Sequence, residues 1–587
     1  MLSLTPPATR GPLIHASLTF LALLCVLPFL QPFHRYPLTS FYTEWLAFAL
    51  GLGVIIVLLD RRVWISAEVP WIALAPFALA LLLMVHGTLG WSPYFGHALI
   101  GALYLVWTGL LMIAARALVR VCGAESVVTV VAASLAAGAL LSAAIGLIQY
   151  FNVITPLNAF IVRLHGAAIF GNLAQPNHFA AYTTLGLLSL AYLHSRDRLS
   201  LPVAAICALP LLFVLGVSGS RSPWLYLLAA FGCAVWLRFA SEDRAAKRLF
   251  LLTGVFLILH YAMQAAVGAG WLKPPEGAAV TAIERLFSGA ESVTDRIGLW
   301  RAAWSIAMDH PVFGVGWGAF AGKYFEFAAE PGVTAPLGLY NNAHNILLQL
   351  FAETGVIGMI LFLAPLAAWA VAVLRIEPDA RQWWLLATLG VFAIHSMLAY
   401  PLWYAYLLGV TAVLLGLGAG PVFMPRLARL GRVFAAAVIF VGAYNLAFLW
   451  ADYRQFEVLF RPSPEQLRRI DFPAMMARLH RNALLAPYVE LFTAFPSAVA
   501  EENLSGRLLL NERVIRFTPI PLLVYRQVLL LALANRAPEA LALLVRARRA
   551  YPDAPPEFEL DLVRLATEYP GRFRPLIESP AHVPGRK

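Results

Sequence analysis

Runs of about 20 apolar residues recur along this chain, and nothing else in it restricts the fold so strongly. A helix rises 1.5 Å per residue, so one such run crosses a hydrocarbon core about 30 Å thick. Within lipid every backbone polar group needs a partner inside the protein, which leaves helices and closed barrels. Barrel strands alternate apolar and polar residues, and these runs do not. Of the 587 residues 60% are apolar and 13% charged, about half the charge of an ordinary soluble protein. The expected fold class is all-α, a polytopic helical membrane protein.

Thirteen spans are expected, roughly 13–31, 42–59, 69–86, 96–118, 126–150, 178–194, 201–217, 223–239, 250–270, 345–374, 383–399, 402–420 and 432–450. With Arg10 and the N-terminus in the cytoplasm, sixteen basic residues fall on the inner side, and only Arg35, Arg163 and Arg221 lie in short outer loops. That asymmetry is the positive-inside rule. It turns the loop 271–344 and the segment 151–177 outward, and the odd number of spans puts everything after Trp450 outside too. In a Gram-negative cell this means the inner membrane, with that face in the periplasm. The net charge of +11 then reads as topology and not as a nucleic-acid surface. Cys25, Cys122, Cys207 and Cys233 lie within or at the ends of spans and form no CxxC pair. The first run lacks a convincing cleavage site and reads as a retained helix.

Two regions stand apart from the spans. The loop 271–344 is too long for a plain connector. Within it, 296–308 has helical periodicity, with Trp300 and Trp304 expected on one face and Arg296 and Arg301 off it. Asp309-His310-Pro311 ends that helix, and Gly314 to Gly318 form a turn. An ordered outer cap lying on the membrane is expected. The region 451–587 carries 19 Lys and Arg against 15 Asp and Glu, and its segment 527–551 suggests helical hairpins of the tetratricopeptide kind. The expected domains are 1–450, transmembrane, and 451–587, helical and periplasmic.

Three polar clusters open helices on the outer side. In the first, Gly171-Asn172-Leu173-Ala174-Gln175-Pro176-Asn177-His178, Pro176 marks a first helical turn. Asn172, Gln175, Asn177 and His178 add polar groups at a helix start suited to anions. In the second, Ser218 to Trp224, Ser222 is the expected N-cap, Pro223 a first-turn residue, and Arg221 a bidentate phosphate ligand beside a helix start. Interfacial snorkelling is the plainer account of Arg221. The third joins Arg285, Arg296 and Arg301 to Asn341-Asn342-Ala343-His344-Asn345. There His344 has the chemistry of a general base, and the arginines that of a clamp on a pyrophosphate leaving group. Topology allows all three clusters one outward cavity. There is no P-loop, dinucleotide fingerprint or HExxH site, and no metal or other cofactor is expected.

Asn342-Ala343-His344-Asn345-Ile346-Leu347-Leu348-Gln349 with Glu353-Thr354-Gly355, preceded by Arg296 to Trp300 and Pro311 to Gly316, resembles the O-antigen ligase and polymerase superfamily. Gly171 to His178 resembles the hallmark of its protein O-oligosaccharyltransferase branch, the PglL type, as does the C-terminal region. The likeness covers about residues 150–570. It implies en bloc transfer of an oligosaccharide from undecaprenyl pyrophosphate to a serine or threonine hydroxyl of a periplasmic or pilin-like protein. His344 and Arg221 would then be catalytic. Asn172, Gln175, Asn177, His178, Arg296, Arg301, Asn342 and Asn345 would bind substrate, with no metal or nucleotide. Two rivals are a ligase or polymerase using lipid A core or glycan acceptors, and a non-catalytic transporter of lipid-linked glycan. The transporter would call for polar breaks at mid-membrane and repeat symmetry, which the sequence lacks.

Overall fold

The computed structural model describes residues 11–65, 68–164, 168–272, 290–424, 428–460, 462–463, 465 and 470–579. Arg285 and most of the first part of the long loop lie outside them. Among the described residues nearly everything regular is helix, the exception being an antiparallel pairing of Val69–Pro70 with Val422–Phe423.

All thirteen expected spans coincide with helices. Among the described residues nine helices are long and apolar enough to cross a membrane: Pro12–Leu30, Phe41–Leu59, Trp71–Thr88, Phe95–Cys122, Ala124–Tyr150, Ser222–Ala240, Arg244–Gly268, Ile346–Leu374 and Arg429–Phe460. The chain is therefore a multi-pass, all-α membrane protein. The other four fall short for two reasons. Leu201–Val217 and Ala405–Leu417 are brief. Pro176–Ser195 and Ala380–Leu398 carry polar residues along their length. Pro176–Ser195 is buried nearly all round, so protein rather than lipid surrounds it. Its Thr184 and Ser189 hydroxyls donate to Ala180 and Leu185 carbonyls, and Trp384 Nε1 donates to Ser189 Oγ at 3.1 Å.

The contacts divide the chain into two compact units. The first holds 1–77, 104–290 and 363–451. In it Ala124–Tyr150 packs closely on Pro176–Ser195. A Cβ on Gly186 would stand 2.2 Å from that of Ala139, and one on Gly138 would meet the Tyr182 hydroxyl. Small residues let membrane helices approach in this way.

The second unit holds 78–103, 291–362 and 452–587. The helix Ala290–Asp309 covers the expected amphipathic stretch, with one correction to its faces. Leu299, Ala302, Ala303, Ile306 and Ala307 are buried, while Ile297, Trp304 and Met308 are exposed. The alanines allow close packing inside, and the bulky side chains form an outer stripe that Arg301 shares. Beyond residue 470, proline-started helices pair as hairpins, Pro521–Leu533 with Ala537–Ala550 and Pro556–Glu568 with Pro570–Ile577. Their apolar core also takes in Phe325 and Ala329, so the C-terminal helices share a core with the segment before His344.

Candidate functional site

The candidate residues fall into two groups, one in each unit. In the first unit, Gly171 starts the entrance with φ +57°, where a Cβ would stand 2.9 Å from Ser142 Oγ. The Asn172 side chain is buried and fully used. Its Nδ2 donates to the carbonyls of Leu30 and Phe160, both at 2.8 Å, and its Oδ1 accepts from Val162 N at 3.0 Å. Gln149 repeats the pattern, donating to Val162 and Gly171 carbonyls and accepting from the amides of Phe170 and Gly171. Together these amides tie Phe160 and Val162 to Phe170–Asn172 and to Leu30.

Gln175 is the N-cap of Pro176–Ser195, its Oε1 accepting from His178 N at 2.6 Å. Asn177 Oδ1 accepts from Ser220 Oγ at 2.8 Å, which ties the first expected cluster to the second. Gly219 makes the required turn at φ +68°. Arg221, half-buried, is itself the N-cap of Ser222–Ala240. Ser222 is therefore the first helical residue, one position on from the expected cap, and Pro223 the second. His178 is buried and shares a 2.7 Å hydrogen bond between Nδ1 and the Tyr406 hydroxyl. Tyr404 and His395 present ring edges to it, at centroid distances of 4.7 and 5.3 Å.

In the second unit, His344 takes φ +52°, an uncommon backbone for a residue with a Cβ, though histidine and asparagine visit it more than most. Three side chains impose this conformation. Asn342 Oδ1 accepts from His344 N at 2.8 Å, Gln349 Oε1 accepts from Ala343 N at 2.7 Å, and Asn345 Oδ1 caps the next helix by accepting from Leu347 and Leu348 amides. His344 is half-buried while its neighbours Asn342 and Asn345 are buried. Partial burial, and then the charge of Arg296, lower its pKa below the ordinary imidazole value. The ring is thus neutral at pH 7, able to accept a proton. Arg301 is exposed one turn further along its helix.

The motif Glu353-Thr354-Gly355 supports this loop from behind. Glu353 Oε1 accepts from the amides of Gly318 and Phe320 at 3.0 and 3.3 Å. Gly314, Gly316 and Gly318 all have positive φ, and a Cβ on Gly314 would lie 2.3 Å from the Glu353 carbonyl carbon. Gly355 interrupts its helix at φ +64°, so that Val356 N reaches the Pro311 carbonyl at 2.8 Å.

Within each unit, then, the expected residues come together: Asn172, Gln175, Asn177, His178 and Arg221 in one, Arg296, Asn342, His344 and Asn345 in the other. Sequence reasoning missed Gln149, Glu44, His395, Tyr404 and Tyr406. Glu44 is half-buried, accepting from the Tyr104 hydroxyl and the Ala405 amide. Both nitrogens of buried His395 lack a partner among the described residues. A signal existed, since Glu44 and His395 are ionisable residues inside apolar spans. Among the described residues no three His, Cys, Asp or Glu side chains group as metal ligands.

Comparison with known proteins covers the same segments. Residues 169–194, which hold the entrance motif, match the family described as protein glycosylation ligase. Residues 205–363, which hold Arg221 and His344, match O-antigen ligase. Residues 383–564 match virulence factor membrane-bound polymerase, C-terminal. The chain is 28% identical over 452 residues to a general O-oligosaccharyltransferase of Acinetobacter baylyi, covering 74% of this chain and 76% of the relative. It is 24% identical over 238 residues to a ComP-specific O-oligosaccharyltransferase of the same organism, covering 40% and 41%. Read in order along one chain, these matches show that it is similar to the O-antigen ligases and to the protein O-oligosaccharyltransferases.

Proposed function

We propose that this protein transfers an oligosaccharide from undecaprenyl pyrophosphate to a serine or threonine hydroxyl of a periplasmic or pilin-like protein. It does so at the periplasmic face of the bacterial inner membrane, with its N-terminus in the cytoplasm. The observation that carries the reading is His344, held at positive φ by Asn342 and kept neutral by burial and Arg296. Backbone held in a sparsely populated region clusters at functional sites.

In the reaction the acceptor hydroxyl gives its proton to the His344 imidazole as its oxygen bonds to the first sugar carbon. The bond from that carbon to the pyrophosphate oxygen breaks, and the leaving group takes the electron pair. Arg296 or Arg301 meets the charge gathering on the pyrophosphate, and Arg221 serves as a further phosphate ligand. Gln175, Asn177 and His178 shape the donor end, with Asn172 stapling the loop beneath them.

The test uses purified protein, a lipid-linked oligosaccharide and a pilin-like acceptor, with intact mass as the readout. The expected result is a glycan-sized mass increase that His344→Ala and Arg221→Ala both abolish. An unmodified acceptor, with glycan joined to lipid A core in a parallel reaction, would replace this reading with the ligase one. The matches to O-antigen ligase and to a membrane-bound polymerase favour that second reading.

A further inference from the structure

The second unit contains a cavity of about 480 Å³ that none of the assigned residues line. Its walls include Trp91, His310, Val312, Phe313, Lys323 and Arg516, and none of the described residues lining it is acidic. The volume is in the range of small-ligand sites. The walls are held in place. The rings of Trp91 and Phe313 stand 5.5 Å apart, and a Cβ on Gly316 would lie 2.3 Å from the Trp91 carbonyl oxygen. On the opposite wall, a Cβ on Gly322 would lie 2.6 Å from the Arg516 carbonyl oxygen, so the Lys323 and Arg516 backbones are locked side by side. Lys323 pairs with Glu326 at 2.7 Å, whereas Arg516 forms no ion pair among the described residues.

Two apolar stripes end at this cavity. On the membrane helix Trp71–Thr88, Leu81 and Val85 are exposed along one face, which Leu89 just beyond its end continues toward Trp91. On Ala290–Asp309, Ile297, Trp304 and Met308 are exposed along one face that leads to His310, Val312 and Phe313. Tryptophan and basic side chains where a lipid-facing surface ends mark the headgroup level. A soluble anion would meet the basic groups alone, whereas an anionic amphiphile meets both them and the stripes that face the bilayer. We infer that this cavity binds the phosphate-bearing headgroup of an anionic phospholipid, with the acyl chains lying along the two stripes. The site is independent of the proposed transfer reaction.

The test follows lipid retention by native mass spectrometry and thermal unfolding of the full chain in detergent, with phosphatidylglycerol or phosphatidylcholine added. Phosphatidylglycerol is expected to bind and stabilise, and phosphatidylcholine to do so at least about tenfold more weakly. Lys323→Gln and Arg516→Gln should each weaken phosphatidylglycerol about fivefold, the worth of one basic residue at a charged lipid surface. Arg516→Lys, which keeps the charge, should restore most of the loss and guards against a folding defect. Equal binding of the two lipids, or no change in either glutamine variant, would overturn the inference. Glycerol phosphate alone protecting as well as the lipid would make the site one for a free anion. Protection by an acidic oligosaccharide but not by the lipid would make it a sugar subsite.

Discussion

The entrance at Gly171–His178 and the loop at Asn342–Asn345 use the same vocabulary, asparagine and histidine just ahead of a membrane helix, for different ends. At the entrance the side chains are knotted into the protein. Asn172 spends its whole amide on backbone groups, and His178 is buried against Tyr406, Tyr404 and His395. In the loop the asparagines are again committed, to the backbone of His344 and to the next helix, but they leave the imidazole half-exposed on a left-handed backbone. The first arrangement builds a wall, and the second keeps a ring accessible at the surface of its unit. A polar motif in a membrane protein is therefore read by asking which of its side chains stay accessible after folding.

The sharpest test of that contrast is His344→Ala. Loss of a general base should lower transfer by about 10²–10⁴-fold with unfolding temperature nearly unchanged. His344→Asn, which tolerates positive φ, should be equally inactive, separating lost chemistry from backbone strain. If His344→Asn kept full activity, the loop would be a wall as well.

The next largest effect is on folding. Gly355→Ala would place a Cβ 2.3 Å from the Val312 carbonyl oxygen at a positive φ, and should cost roughly 3 kcal/mol, seen as a lower unfolding temperature in detergent. Asn172→Ala should cost about 2 kcal/mol because buried carbonyls lose their donors. That loss should appear in stability first and reduce transfer only in proportion to folded protein. A normal melt with abolished transfer would instead make Asn172 a substrate ligand and break the comparison.

The pH dependence is subtler. His344 has a lowered folded pKa, so its neutral form persists below the ordinary imidazole value of about 6.5. Transfer should hold as pH falls through 6.5 and decline only below it. The associated stability is present above the unfolded value and lost as pH falls through the folded one. Arg296→Gln removes one cause of the shift and should move the acid limb of the rate profile upward. An acid limb already at 6.5 in the parent would mean the loop does not tune the ring. Least affected should be Trp304→Ala, on the outer stripe, with a change within about 1 kcal/mol, whereas Ala303→Leu on the buried face should cost more.

Much of this molecule was legible in advance. Every expected span met a helix, and the residues expected at the entrance and in the His344 loop assembled within their own units. The misplaced face of Ala290–Asp309 has a simple cause. Periodicity locates a stripe of large apolar side chains but does not say whether it meets protein or lipid, and here the alanines took the protein side. The register at Ser222 slipped by one residue because proline is tolerated at either of the first two helical positions.

The sequence by itself determined that the chain crosses a membrane many times, where its helices begin and which polar clusters stand at their ends, because hydrocarbon thickness and backbone hydrogen bonding act on local stretches. Only tertiary structure decided what those polar groups do. Asn172 finds Leu30, Glu44 finds Ala405, and His178 finds Tyr406, partners that lie 142, 361 and 228 residues away. A buried polar group must be satisfied wherever the fold supplies a partner, and that place is written in packing rather than in neighbouring sequence.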